Sequence, residues 1–156
     1  MGIIIRKAKM ADVEGMHGLI NSYAQQGLML ARSRNTLYEN LREFTVAEAD
    51  GKVVGVAGLH ILWEDLVEIR ATAIDPEYIK QGIGSQIVES LIQETKELGI
   101  PKVFALTYQP GFFAKNGFQL VPMDSLPHKV WKECINCPKF PKCDETAMLL
   151  ELNAGG

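Results

Sequence analysis

Residues 72–84 read TAIDPEYIKQGIG, and SQIVESLIQETKELG follows at once. A short apolar run meets Asp-Pro, then a Gly-x-Gly turn, then an amphipathic pattern with Ile83, Ile87, Val88, Leu91, Ile92 and Leu98 on one face. Gly99 ends that helix, and KVFALT behind it reads as a strand. A strand, a long helix and another strand in this order form a helical crossover, so the sheet cannot be a simple meander.

The rest of the chain fits around this unit. Ile3–Arg6 reads as a first strand, and Asp12 is placed to cap a helix carrying Val13, Met16, Leu19, Ile20 and Tyr23. Ser33 caps a shorter helix burying Leu37, Leu41 and Phe44. FTVAEADGKVVGVAGLHIL is a hairpin signature turning at Asp50-Gly51, and LVEIRATAI is a third strand of the same meander. Behind the crossover come a short helix in PGFFAKNG, a strand in FQLV and a last strand in TAMLLEL. The fold class is α+β on a mixed sheet. At 156 residues the chain reads as one domain, 1–156, with a cysteine-containing segment at 127–145 inside it.

Composition removes several classes of function. A net charge of −3 gives no basic field for nucleic acid. The apolar runs fall far short of the ~20 residues that span a bilayer. No signal pattern opens the chain, and Arg6 stands where a myristoylation motif wants Ser or Thr. Three cysteines crowded into ten residues are not a secreted disulfide framework, so the expected compartment is the cytoplasm.

The glycine turn admits two readings. It is a tight turn, or it is a cradle in which the unpaired amides at a helix N-terminus close on phosphate oxygens. The order of strand, DPEYIKQGIG, long helix, strand and FFAKNGF resembles the GNAT (Gcn5-related) N-acetyltransferase family. That resemblance implies acetyl-CoA as co-substrate, with its pyrophosphate held by Ile79, Lys80, Gln81, Gly82, Ile83, Gly84 and Ser85. It also implies that Val67–Ile74 and Lys102–Thr107 splay apart to admit the pantetheine arm. Two positions depart from the family: Ile79 replaces the usual Arg or Gln, and Phe113 stands where many members carry a tyrosine acid.

QQGLMLARSRNTLYENLREFTVAE, VEIRATAIDPEY and VFALTYQPGFFAKNGFQLV narrow this to the acetyltransferase domains of the N-acetylglutamate synthases, here in a short stand-alone form. The implied reaction is direct transfer of acetyl to the α-amine of L-glutamate, opening arginine biosynthesis, in a protein that is often a homodimer. An amine must lose a proton to attack a thioester, and Glu68 matches the family's base. The alternative is a strand carboxylate paired with Arg70. Amides around Ala73 and Ile74 would stabilise the oxyanion. Thr107 aligns with the hydroxyl that protonates the leaving thiolate, and Tyr108 competes for that role. Arg32, following Leu30, matches the substrate arginine; Arg34 and Arg70 are further cations, or solvated charges, and Thr146 is a carboxylate contact.

Cys134, Cys137 and Cys143, with His128 upstream, offer a ligand set for structural zinc. A reversible disulfide or three plain thiols satisfy the same pattern. Two alternatives to the leading function stand beside it. One is a related acetyltransferase for another amino acid or a protein N-terminus. The other is an acyl-CoA-binding regulatory module without catalysis.

Overall fold

The computed structural model describes residues 2–122 and 146–152. In chain order the elements are β1 (Ile4–Lys7), α1 (Val13–Gln25), α2 (Arg34–Glu39), β2 (Phe44–Ala49), β3 (Lys52–Trp63) and β4 (Leu66–Ile74). These are followed by α3 (Ile83–Leu98), β5 (Lys102–Thr107), α4 (Pro110–Lys115), β6 (Gln119–Val121) and β7 (Thr146–Glu151). The strands form one seven-stranded sheet in the order β1-β2-β3-β4-β5-β7-β6. β1–β2, β2–β3, β5–β7 and β6–β7 pair antiparallel, whereas β4 and β5 pair parallel through Val67↔Val103 and Glu68↔Phe104. The parallel step is the crossover that α3 makes, so the expected mixed sheet is present. The backbone groups into two compact units, Met1–Leu59 with Ile69–Glu94, and His60–Glu68 with Thr95–Gly156.

In the first unit, Val13, Met16 and Ile20 of α1 and Leu37 of α2 bury themselves against Phe44, Val46, Val56 and Ala73 of the sheet. Their spacing of three and four residues on α1 is the helical period that places all three on one face. Full burial of each such side chain contributes about 1.5–3 kcal/mol, so Leu37→Ala would cost several times the worth of a surface contact. Gly55 of β3 permits a close approach. A Cβ there would stand 3.0–3.1 Å from Ile74, Ile83 and Ile87, so the first turns of α3 lie directly over the strand.

Two local expectations are corrected. Asp12 does not cap α1 with its side chain. Its carboxylate instead accepts the Lys9 amide at 2.7 Å and both terminal nitrogens of Arg6 at 2.7 and 3.0 Å. The Arg6 guanidinium, followed by the Lys9 amide, holds that carboxyl below its usual value against the opposing effect of burial. Phe44 opens β2 instead of closing the second helix, which ends at Glu39 and gives way to a 3-10 turn over Leu41–Glu43. Ser33 caps α2 as expected, its hydroxyl accepting the Thr36 amide at 3.1 Å.

In the second unit, Leu66, Phe104 and Ala147 form the buried centre, with Leu62, Leu106, Val121 and Leu149 packed against it. α3 ends in this unit at Gly99, φ +77°, where the Gly99 amide donates to Lys96 O and the Ile100 amide to Thr95 O at 3.0 and 3.1 Å. That pair of bonds satisfies the final carbonyls of the helix. Leu98, expected on the apolar face, is half exposed, and Thr95 continues the buried row of Ile83, Ile87 and Leu91 instead.

Candidate active site

The first unit builds the turn that opens α3 on a fixed base. At the end of β4 the Tyr23 hydroxyl donates to Ile74 O at 2.6 Å, and the Asp75 amide donates to Val54 O at 2.8 Å. Asp75 then accepts the Glu77 amide at 3.0 Å and meets Lys52 Nζ at 3.2 Å. The Glu77 amide first, and Lys52 after it, hold the Asp75 carboxyl below its ordinary value. Pro76 starts the 3-10 turn Pro76–Tyr78 with its φ already set.

Beyond this anchored turn the chain reverses through Lys80 at φ 74° and Gly82 at φ 77°. A Cβ on Gly82 would meet nothing within 4 Å, so the space above that residue is open. The first helical bond of α3 runs from the Gln86 amide to Gly82 O at 3.1 Å. The amides of Ile83, Gly84 and Ser85 therefore precede the helical ladder, at the positive end of a sixteen-residue helix. Ile83 is buried and pins the start of the helix, while Ile79, Lys80, Gln81 and Gly82 are exposed. Such a turn suits an anion the size of a phosphate: amides and dipole are fixed in advance, and a Cβ on Gly82 would meet nothing within 4 Å.

The candidate substrate arginines differ sharply. Arg34, exposed on α2, is bidentate to Glu14, with Nε at 2.7 Å and a terminal nitrogen at 3.0 Å. Arg32 is partly buried beside Leu30 in the segment before α2, and its Nε is buried without a hydrogen-bond partner among the described residues. Arg70 lies partly buried on β4, next to Ala71, which has φ 52° inside the strand. A non-glycine residue there is strained, and strain of this kind collects at working sites. Ala73 is buried and Ile74 partly so.

The second unit holds the candidate proton-transfer groups. Glu68 is 7% exposed on β4, opposite Phe104 of β5. Thr107, also buried, ends β5, and its Oγ1 accepts the Gln109 amide at 2.7 Å. That bond fixes the oxygen and uses one lone pair, while the O–H remains a donor by nature. The β5–β7 register sets Thr146 directly beside Thr107, which brings two of the expected site residues together. Tyr108 follows, partly buried. Phe113 of α4 is 4% exposed and packs edge-on against Phe112 and Phe118, with ring centroids at 5.1 and 5.2 Å. His128, Cys134, Cys137 and Cys143 lie outside the described residues. Among the described residues no group of three or more His, Cys, Asp or Glu could hold a metal, and no helix is long and apolar enough to cross a membrane.

Comparison with known proteins gives this arrangement a lineage. Residues 15–118 match the acetyltransferase (GNAT) family. The chain belongs to that family. An acetyltransferase of this kind has in Mycobacterium tuberculosis a relative, named amino-acid acetyltransferase, that is 40% identical over 133 residues, covering 83% of this chain and 76% of that protein. An N-acetyltransferase of Chlorobaculum tepidum is 36% identical over 95% of this chain and 96% of its own. Among solved structures, N-acetylglutamate synthase from Neisseria gonorrhoeae, in complex with coenzyme A and N-acetyl-glutamate, superposes with a TM-score of 0.89 at 28% identity. It is matched over 98% of this chain and 36% of its own length.

The acetyltransferase sequence singled out the glycine turn, Glu68, Thr107 and the arginines as candidates. It did not announce the left-handed Ala71 or Lys80, because neither residue type signals such a conformation. Nor did it show that Tyr23, 51 residues upstream, locks the end of β4.

Proposed function

We propose that this enzyme is an amino-acid N-acetyltransferase that moves acetyl from acetyl-CoA to the α-amine of L-glutamate. The observation that carries the reading is Arg32: its guanidinium Nε is buried without a partner among the described residues, in a chain similar to amino-acid acetyltransferases. A partly buried guanidinium whose Nε lacks a partner is stabilised by an anionic ligand, and the planar fork suits a carboxylate.

The co-substrate supplies an acetyl thioester. The turn Ile79–Ser85 suits its pyrophosphate, since Gly82 leaves the approach open and the head of α3 presents amides. Glu68 takes a proton from the substrate ammonium and so frees the nitrogen lone pair. Amides of Ala73 and Ile74 donate to the oxygen that gains charge as the C–N bond forms. Thr107 donates its proton to the sulfur as the C–S bond breaks and is reprotonated by the second proton shed from the positively charged nitrogen of the tetrahedral intermediate, while Glu68 returns its own proton to solvent; Tyr108 is the competing donor. The products are N-acetylglutamate and free CoA, with no acyl-enzyme. Arg32 holds a carboxylate of the acceptor, and Arg70 and Thr146 contribute further polar contacts to it.

A panel of amino acids with acetyl-CoA, followed by release of free thiol, tests this reading. The expected result is the highest kcat/KM for L-glutamate. A clear preference for another amino acid, or for a peptide N-terminus, would overturn it.

A further inference from the structure

We infer that Asn21 is a positioning residue for substrate recognition, acting through Arg32; this rests on the role proposed for Arg32 above. Arg32 lies in the irregular stretch between α1 and α2, outside any strand or helix. Its main chain is nonetheless held on both sides by one side chain. The Arg32 amide donates to Asn21 Oδ1 at 3.0 Å, and Asn21 Nδ2 donates to Arg32 O at 2.9 Å. Asn21 Nδ2 also donates to His17 O at 2.9 Å, one turn back on α1. Both amide hydrogens and the carbonyl of Asn21 are thereby engaged, so its χ2 is fixed and the amide orientation is set by the network.

The anchor behind this contact is rigid. Asn21 follows Ile20, and Ile20, Met16 and Val13 of the same helix are completely buried in the first unit. The pair of bonds therefore refers the Arg32 backbone to the core of that unit rather than to a mobile loop. An arginine that discriminates a carboxylate by a bidentate fork depends on its origin, because an error of about 1 Å at Cα spoils both bonds together. Neither half of the pattern is visible in the sequence, since an asparagine inside a helix more often points to solvent.

Asn21→Asp isolates the effect. It preserves shape and the acceptor for the Arg32 amide, but it replaces the donor facing the carbonyls of His17 and Arg32 with a carboxylate oxygen. Steady-state kinetics of Asn21→Asp and of the smaller Asn21→Ser should show glutamate KM raised about tenfold, the scale of a lost hydrogen bond or two. The acetyl-CoA KM should stay within about twofold, and the preference for glutamate over glutamine should shrink in step with the KM change. A purely structural role would lower thermal stability and raise both KM values together without touching that preference. The Arg32→Gln variant separates the two levels of the argument. If Arg32→Gln leaves glutamate KM unchanged, the reading of Arg32 itself fails. If Arg32→Gln raises it while folded Asn21→Asp and Asn21→Ser do not, positioning by Asn21 is overturned alone. In the Arg32→Gln background, Asn21→Ser should add nothing further to glutamate KM, and an additive rise would also overturn the inference.

Discussion

The two compact units divide the work in different ways. The first unit carries groups suited to hold ligands: the amides at the head of α3, the open Gly82 and Arg32, whose Nε is buried without a partner among the described residues. The second carries groups suited to move protons: buried Glu68 and buried Thr107, whose oxygen is held by the Gln109 amide. The proposed binding groups there are backbone and cation, and the proposed proton-transfer groups here are a carboxylate and a hydroxyl. Variants of Arg32 and Gly82 in the first unit should therefore act on KM, and variants of Glu68 and Thr107 in the second on kcat. Each substitution below either sharpens that division or breaks it.

Glu68→Gln should show the largest effect. It keeps the shape of a buried side chain and removes its basicity, so kcat should fall roughly 10²–10⁴-fold, the usual contribution of general base catalysis. Both KM values should move little. Measured kcat near the parent value at neutral pH would leave Glu68 a strand carboxylate and the second unit without its base.

Arg32→Gln comes next. Loss of the charge should raise glutamate KM about 10²-fold, the scale seen when one member of a desolvated charge pair is removed. Discrimination against glutamine should weaken in parallel, while kcat should change far less. Equal losses for glutamate and glutamine would assign Arg32 to the α-carboxylate, which the two substrates share.

The two ends of α3 give the cleanest comparison of the third rank. Gly82 and Gly99 both have φ near +77°, and at both a Cβ would meet nothing within 4 Å. Valine at either place costs on the order of 1–3 kcal/mol in backbone strain. At Gly99 the neighbouring amides are already bonded to Lys96 and Thr95. At Gly82 the amides that follow precede the helical ladder. Gly82→Val should therefore raise acetyl-CoA KM roughly tenfold, and Gly99→Val should lower the melting temperature alike with KM unchanged. Parallel KM changes in the two variants would mean that strain, not anion binding, was being measured.

How much of this the sequence disclosed follows from what kind of signal each feature leaves. The period of Ile83, Ile87 and Leu91 and the Asp50-Gly51 turn are local patterns, so elements and order were legible. The crossover set the mixed sheet. The position of β7 between β5 and β6 is a pairing over long sequence distance and leaves no local trace. Among the candidate site residues, Gly82 and Glu68 were picked out through motif and resemblance. The contrast between Arg32 and Arg34 was not, because it depends on Glu14, twenty residues upstream, closing on one guanidinium and not the other. Ala71 was silent for the opposite reason: its φ is imposed by the surrounding sheet and not chosen by its side chain.

Arg34 sets the lower limit of the comparison. It sits in the same unit as Arg32, two residues along, and carries the same charge. Its fork is already occupied by Glu14, which holds the Arg34 guanidinium more basic than usual and is itself made more acidic. Both partners are more than half exposed, so water and salt screen the pair. Charge in the first unit then matters only where it is desolvated and unmatched. Arg34→Ala should accordingly leave glutamate KM within about twofold and melting within a degree or two, as expected for a surface pair. A rise in glutamate KM matching that of Arg32→Gln, measured in 0.15 M salt, would show that the substrate displaces Glu14. Arg34 would then join Arg32 as a ligand, and burial would no longer distinguish binding cations from solvated ones.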